Sequence, residues 1–318
     1  MSLKLRDNIH SFGRLTLNKK HAMNNSKTLI LYIPVTVAMV LFGFSYIWYK
    51  QAYQYYGPVT VITLRLVLAV PLLFFISLLT RKLQRIQKMH FTRFIFLGIF
   101  EPFLYFLGES YGVSMISSTL AALIISLIPL FVTIPAKLIF REKFSRANYT
   151  GLLISIVGVA LVIGGESSQT IRPVTGILLM LLAVTSAVFH SVFVRSLTDH
   201  YNTFTIVTYQ TLFGLICFLP LFLFTEYKEF IHGSISLFSM MPVIKMSVFA
   251  SVIAFLLFVY SIKQLGIAGS NTFVNLIPVV TAILSFLLIG EQFSTGKIAG
   301  ILTVITGLFI SQYHRKVT

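Results

Sequence analysis

The chain has 318 residues, of which 56% are hydrophobic and 11% charged, and it carries a net charge of +16. Soluble domains average about 25% charged residues, so this composition cannot cover a surface that faces water all round. Cys217 is the single cysteine; it excludes an intramolecular disulfide and reads as a small apolar residue within a span.

A helix needs roughly 20 mostly apolar residues to cross hydrocarbon. Ten such stretches occur in chain order: 29–49, 59–79, 92–111, 115–140, 147–164, 174–194, 204–224, 242–262, 268–289 and 297–313. They are continuous apolar runs without strand-type alternation, which excludes a membrane β-barrel. The fold class expected is therefore an all-α polytopic membrane protein in the lipid bilayer. Residues 1–28 are basic and lack an apolar core of signal-peptide type, so they read as a cytoplasmic tail, as do residues 314–318.

With that tail in the cytoplasm, 18 of the 25 Lys and Arg fall on the cytoplasmic side and 5 outside. This bias places both termini in the cytoplasm of a multi-pass protein of the cytoplasmic membrane. The basic charge is thus a topology signal, and nucleic acid is not an expected partner.

Residues 111–158 align without gaps on 260–307, with 13 identities in 48 positions. They include Leu127-Ile128-Pro129 with Leu276-Ile277-Pro278, Glu142 with Glu291, Ser145 with Ser294, Gly151 with Gly300 and Gly158 with Gly307. An apolar bias alone would not align Pro, Glu and Gly. Five stretches per copy is an odd number, so the second copy enters the membrane from the opposite side. The charges agree, because Arg141, Lys143 and Arg146 become Gly290, Gln292 and Thr295 in the copy whose loop lies outside. An inverted repeat under positive-inside selection has this pattern.

The order Pro129, Glu142, Gly151, Gly158, repeated as Pro278, Glu291, Gly300, Gly307 and joined by Pro58 and Arg65, resembles the EamA-type permeases of the drug/metabolite transporter (DMT) superfamily. The resemblance covers about residues 30–312 and departs from the family at Phe42-Gly43, where members have Trp-Gly. It implies ten transmembrane helices as an inverted 5+5 repeat around a central cavity. One repeat would span 29–164 and the other 174–313, joined by an outer linker at 165–173. It also implies secondary transport by alternating access, with export of an amino acid or related metabolite as the best substrate reading.

Several polar residues inside the spans are candidates for the chemistry. Glu101 lies near the middle of the third stretch, ahead of Pro102, where a carboxylate costs about 2.5–3.5 kcal/mol on insertion scales. It reads as a proton-coupling or amine-recognising site, against a hydrogen-bonded structural role. Glu109 shares a broad helix face with it, with Tyr105 between. Arg65 lies at a depth compatible with Glu109, and an ion pair between them is expected because each is otherwise a lone buried charge; Arg65 could equally clamp a solute carboxylate. His190 could relay protons or serve structure. Asn271 and Asn275, one turn apart, either line a cavity or bond between helices. Tyr46, Tyr105, Tyr209 and Tyr260 each need a partner for a hydroxyl within a span. Lys137 is placed to snorkel, and Trp48 and Tyr49 are placed in the interfacial aromatic belt. Glu142 and Glu291 read as helix-start residues beside Ser145 and Ser294. Gly151, Gly158, Gly300, Gly307, Gly108 and Gly112 read as close-packing grooves.

No phosphate loop, metal-ligand cluster or nucleophile elbow is present in the sequence, so no metal, cofactor or catalytic residue is expected. The partners expected are a small-molecule solute, protons as coupling ion, and in one alternative a second copy of the chain. An intramembrane enzyme or a sensor without transport activity remains the alternative reading.

Overall fold

A computed structural model describes residues 31–139, 146–164, 173–233 and 235–312. Among the described residues the regular structure is helical throughout, and seven helices are long and apolar enough to cross a membrane. In chain order the helices are α1 (Leu31–Ala52), α2 (Pro58–Leu79), α3 (Lys88–Met115), α4 (Ser118–Leu138), α5 (Arg146–Gly164), α6 (Pro173–Thr198), α7 (Thr203–Thr225), α8 (Leu237–Ile289) and α9 (Thr295–Gln312). The apolar parts of α5 and α9 are shorter than those of the other seven. A short helix, Tyr227–His232, follows α7.

The described part of each of the ten apolar stretches falls on helical segments, but the eighth and ninth share α8, which runs for 53 residues. Its continuity is broken at Gly266, whose φ of +75° and ψ of 175° suit a residue without a Cβ. The tails, residues 165–172 of the linker, Glu142 and Ser145 lie outside the described residues.

Local signals set the helix starts. Pro58 occupies the first turn of α2, where a missing N–H costs nothing. Asn202 caps α7 by accepting the Thr205 N–H at 2.9 Å, and Ser117 caps α4 through the Leu120 N–H at 3.2 Å. The start of α2 is also held from a distance. Glu226, after α7, accepts the Val59 N–H at 3.1 Å and the Thr60 N–H and hydroxyl at 2.7 Å each, so a carboxylate sits on a positive helix end. The repeated prolines have parallel roles: Pro129 opens a new segment of α4 after a turn at Ser126–Leu127, and Pro278 follows the tight turn Thr272–Asn275 in α8.

Glu291 pairs with Lys297 at 2.6 Å, and Lys297 reaches Ser117 at 3.3 Å, joining the start of α9 to that of α4. The α9 N–H groups find their cap in Ser294, which accepts from Lys297 N at 3.2 Å. Lys297 is a buried member of this ion pair.

Glycines set the helix approaches. A Cβ on Gly108 or Gly112 would strike the α6 backbone or Met180, and one on Gly214 of α7 would strike Pro102 of α3. Helices α5 and α9 pack along their glycines. A Cβ on Gly158 would lie 2.6 Å from Val304 N and 2.8 Å from Gly300 O, while Gly307 packs on Gly151. The Ser155 hydroxyl reaches Val304 O at 3.4 Å. Residue numbers rise along one helix as they fall along the other, so the two helices run antiparallel. Gly158→Val should therefore destabilise the protein by about 1–3 kcal/mol through overpacking. That should appear as a lower melting temperature of the detergent-solubilised protein, with the exposed Leu153→Ala as a neutral control; an unchanged melt for Gly158→Val contradicts the packing.

Candidate functional site

Helices α1, α2, α3, α4, α6 and α8 enclose a cavity with a volume of about 40 Å³. A buried water needs about 10–15 Å³ on this measure, so the cavity as it stands has room for a few waters. Its apolar wall includes Met39, Phe42, Ile128, Phe255 and Phe258; its polar wall includes Tyr46, Arg65, Glu101, Tyr105, Glu109, His190, Ser191 and Asn271.

Glu109 is held by three phenols. Tyr46 and Tyr105 donate to its Oε1 at 3.0 and 2.9 Å, and Tyr49 donates to its Oε2 at 3.1 Å. A carboxylate that accepts only is suited to three O–H donors. Arg65 completes the cluster: its Nη1 donates to the Tyr49 hydroxyl at 2.8 Å and its Nε to Ser251 Oγ at 2.5 Å. The guanidinium lies 4.3 Å over the Phe106 ring, a cation–π arrangement. The direct Arg65–Glu109 ion pair expected from the sequence does not form; a Tyr49 hydroxyl stands between them, accepting from one and donating to the other. This corrects the placement of Tyr49 in the aromatic belt, since it is 0% exposed.

Glu101 is held differently. At this residue α3 leaves helical geometry, with φ −150° and ψ 118°, next to a proline that has no N–H to give. Its Oε2 lies 2.8 Å from His190 Nδ1 on α6. On the far side of the imidazole, Nε2 lies 3.2 Å from Gln210 Oε1 on α7. The helix positions are fixed by the glycines: Gly98 abuts the Gln210 carbonyl, and Gly214 abuts Pro102. One carboxylate, Glu109, is saturated by donors, while Glu101 faces an imidazole that can carry or release a proton.

The structure brings Tyr46, Arg65, Glu101, Tyr105, Glu109, His190 and Asn271 to the cavity wall. Asn271 donates to Ser191 Oγ at 3.3 Å and to the Ile267 carbonyl at 2.9 Å. Asn275 is buried outside the lining, with neither amide atom partnered by protein. Tyr209 also lies outside it, packed edge-on to Phe74 and Phe94. Tyr260 and Lys137 are exposed. Sequence reasoning missed Tyr49, Ser251 and Gln210. Tyr46, Tyr49 and Tyr53 recur at helical spacing, a stripe that marks one face, and an amide in mid-span asks for a partner as a charge does.

A helical bundle with seven span-length apolar helices and charged groups gathered at a buried cavity is a multi-pass membrane protein. The model of the EamA-like transporter family matches residues 29–164 and 174–313, and the chain belongs to that family. It is similar to an uncharacterised transporter of Archaeoglobus fulgidus, 24% identical over 88% of this chain and 97% of that one. It is also similar to the uncharacterised transporter YyaM of Bacillus subtilis, 27% identical over 89% and 93% of the two chains. A probable amino-acid metabolite efflux pump of Salmonella typhimurium is 23% identical over 88% and 94%. A crystal structure 15% identical in sequence superposes with a TM-score of 0.67 over 88% of this chain and 97% of that one, a likeness of fold alone.

The relay through Tyr49 has a direct consequence. Tyr49→Phe removes both its bonds and strips Arg65 and Glu109 of a shared partner, at a cost of about 1–3 kcal/mol. Thermal unfolding should show that loss, and the charge-swapped Arg65→Glu, Glu109→Arg protein should not recover the stability lost by either single reversal; recovery by the swap would mean that the two charges interact directly.

Proposed function

We propose that this protein is a secondary transporter that moves a small organic solute across the cytoplasmic membrane by alternating access to the cavity, with export of an amino acid or related metabolite as the preferred reading. The observation that carries it is the gathering of Arg65, Glu101, Glu109, His190 and Asn271, from four helices distant in sequence, around one cavity. Such residues are costly in a membrane and mark solute and ion paths. The cavity's volume of about 40 Å³ accommodates waters and no amino acid, so the helices must move to admit one. The relative named as an amino-acid metabolite efflux pump supports the substrate class and direction.

An inverted repeat supplies the movement. Dividing α8 at Gly266 gives ten crossings, five in each of 29–164 and 174–313. The contacts of α5 with α9 support this arrangement. Adding 149 to the number of a first-repeat residue gives its counterpart, so Gly151 corresponds to Gly300, Gly158 to Gly307 and Ser155 to Val304. The contact of Gly158 with Gly300 then maps onto that of Gly307 with Gly151, and Ser155 touches its own counterpart. Antiparallel helices whose contacts exchange in this way are related by a two-fold axis across them, as in transporters with inverted repeats. With both termini cytoplasmic, the basic loop after α4 faces inward and the Glu291 turn outward.

In this reading Arg65, with Nε and Nη1 committed to Ser251 and Tyr49, offers the rest of its fork to a solute carboxylate. The Glu101–His190 contact takes up the coupling proton. No enzyme role is proposed, and one copy of the chain suffices for each step.

Counterflow of radiolabelled amino acids in proteoliposomes tests transport. Glu101→Gln should abolish accumulation driven by a proton gradient and leave solute exchange within about threefold of wild type, since removing a coupling group need not alter uniform binding. Undiminished driven uptake by that variant would reject the coupling role, and the absence of counterflow for every labelled amino acid would reject the substrate class.

A further inference from the structure

We infer that Gln210 is the positioning residue that makes the Glu101–His190 contact depend on a proton; the inference rests on the coupling role proposed above. Gln210 lies on α7 and is 1% exposed. Its Oε1 is turned to His190 Nε2 at 3.2 Å. A carbonyl oxygen only accepts, so Nε2 must be the ring nitrogen that carries a hydrogen. In the neutral ring Nδ1 is then left with a lone pair, and Nδ1 is the nitrogen that faces Glu101 Oε2 at 2.8 Å.

The consequence is a contact that exists only when one further proton is present. With it, imidazolium and carboxylate, or imidazole and carboxylic acid, attract across the 2.8 Å contact, at which Nδ1 is not aligned for a hydrogen bond. Without it, a lone pair confronts a carboxylate oxygen, and two acceptors at that distance repel. Taking up the proton draws α3 and α6 together at the cavity wall; releasing it to the other side lets them part. The reversed amide would remove this dependence. An N–H₂ group donating to Nε2 would move the ring hydrogen to Nδ1, where neutral histidine presents N–H to ionised Glu101 without any extra proton.

The packing fixes Gln210 relative to the break in α3. Gly98 lies against the Gln210 carbonyl, and Gly214, one turn further along α7, lies against Pro102, the residue after Glu101. The other titratable groups on the cavity wall are Tyr46, Tyr105, Glu109 and Arg65. The three hydroxyl donors on Glu109, two of them from Tyr46 and Tyr105, commit that set to its own network, which leaves the histidine as the exchangeable partner of Glu101.

Nitrogen-15 NMR of histidine-labelled full-length protein in lipid nanodiscs reads the ring directly, with the His190 signals assigned by their loss in His190→Gln. The neutral ring should carry hydrogen on Nε2, and Nδ1 should change on titration. Gln210→Glu places a negative charge against Nε2–H and should move the titration midpoint upward by about one pH unit or more, the usual effect of an adjacent opposite charge. Gln210→Met keeps the length but removes the acceptor, and should flatten the pH dependence of proton-driven uptake of whichever labelled amino acid shows counterflow, with counterflow retained. A neutral His190 carrying hydrogen on Nδ1 in the wild-type protein overturns the inference, and that result stands even where the variants fail to fold. An unshifted midpoint in a folded Gln210→Glu protein overturns it as well. Loss of driven uptake in Glu101→Gln together with either of these results would leave the coupling role intact and remove only the role of Gln210.

Discussion

The controlling constraint in this protein is that a charge placed in hydrocarbon must find its partner within the chain. Arg65, Glu101 and Glu109 are each nine-tenths or more buried, and each would be costly alone. The protein meets the constraint in two ways. Arg65 and Glu109 are joined through Tyr49 and braced by Tyr46, Tyr105 and Ser251. Glu101 instead faces an ionisable imidazole, that of His190. The first network is fixed because removing any member leaves a buried charge exposed to hydrocarbon. The second can change state because one proton decides whether its two members attract.

The packing serves this division. Bundles in lipid gain little from burying apolar surface against each other, so close backbone approach matters more. Gly98 and Gly214 bring α7 up to the break in α3, which places Gln210 behind His190 and His190 beside Glu101. Gly108 and Gly112 bring α6 against α3 from the other side. Far from the cavity, α5 and α9 pack through Gly151, Gly158, Gly300 and Gly307. These are the positions that recur between the repeats, so the recurring glycines belong to the scaffold, whereas the charged cavity residues Glu101, Glu109 and Arg65 lie ahead of the aligned segment 111–158.

Much of the fold was legible because continuous apolar runs and recurring Pro and Gly depend on local sequence alone. The break within α8 was legible only as a gap between two apolar runs, and its placement at Gly266 depends on the backbone conformation there. The site was legible in part. Counting residues gives depth in the membrane, so Arg65 and Glu109 could be set at one level, but depth does not give the rotation of a helix about its axis. The hydroxyl between them therefore went unseen. Tyr49 looked interfacial because the apolar run ends at about that point, whereas α1 continues to Ala52 and carries Tyr49 inward with Tyr46. His190 and Glu101 lie 89 positions apart in the chain, and nothing local links them. Gln210 bears no charge and so did not stand out in a search for costly residues, although its amide is as much in need of a partner.

One cavity serving both membrane faces is the claim on which the transport account stands. It is tested most directly by accessibility. In a Cys217→Ser background, Ser45→Cys places a single thiol on the cavity wall, and a membrane-impermeant maleimide is applied to right-side-out and to inside-out vesicles. The account predicts labelling from both faces, with the balance between them shifted by an imposed proton gradient. Labelling from one face alone, whatever the gradient, would contradict it.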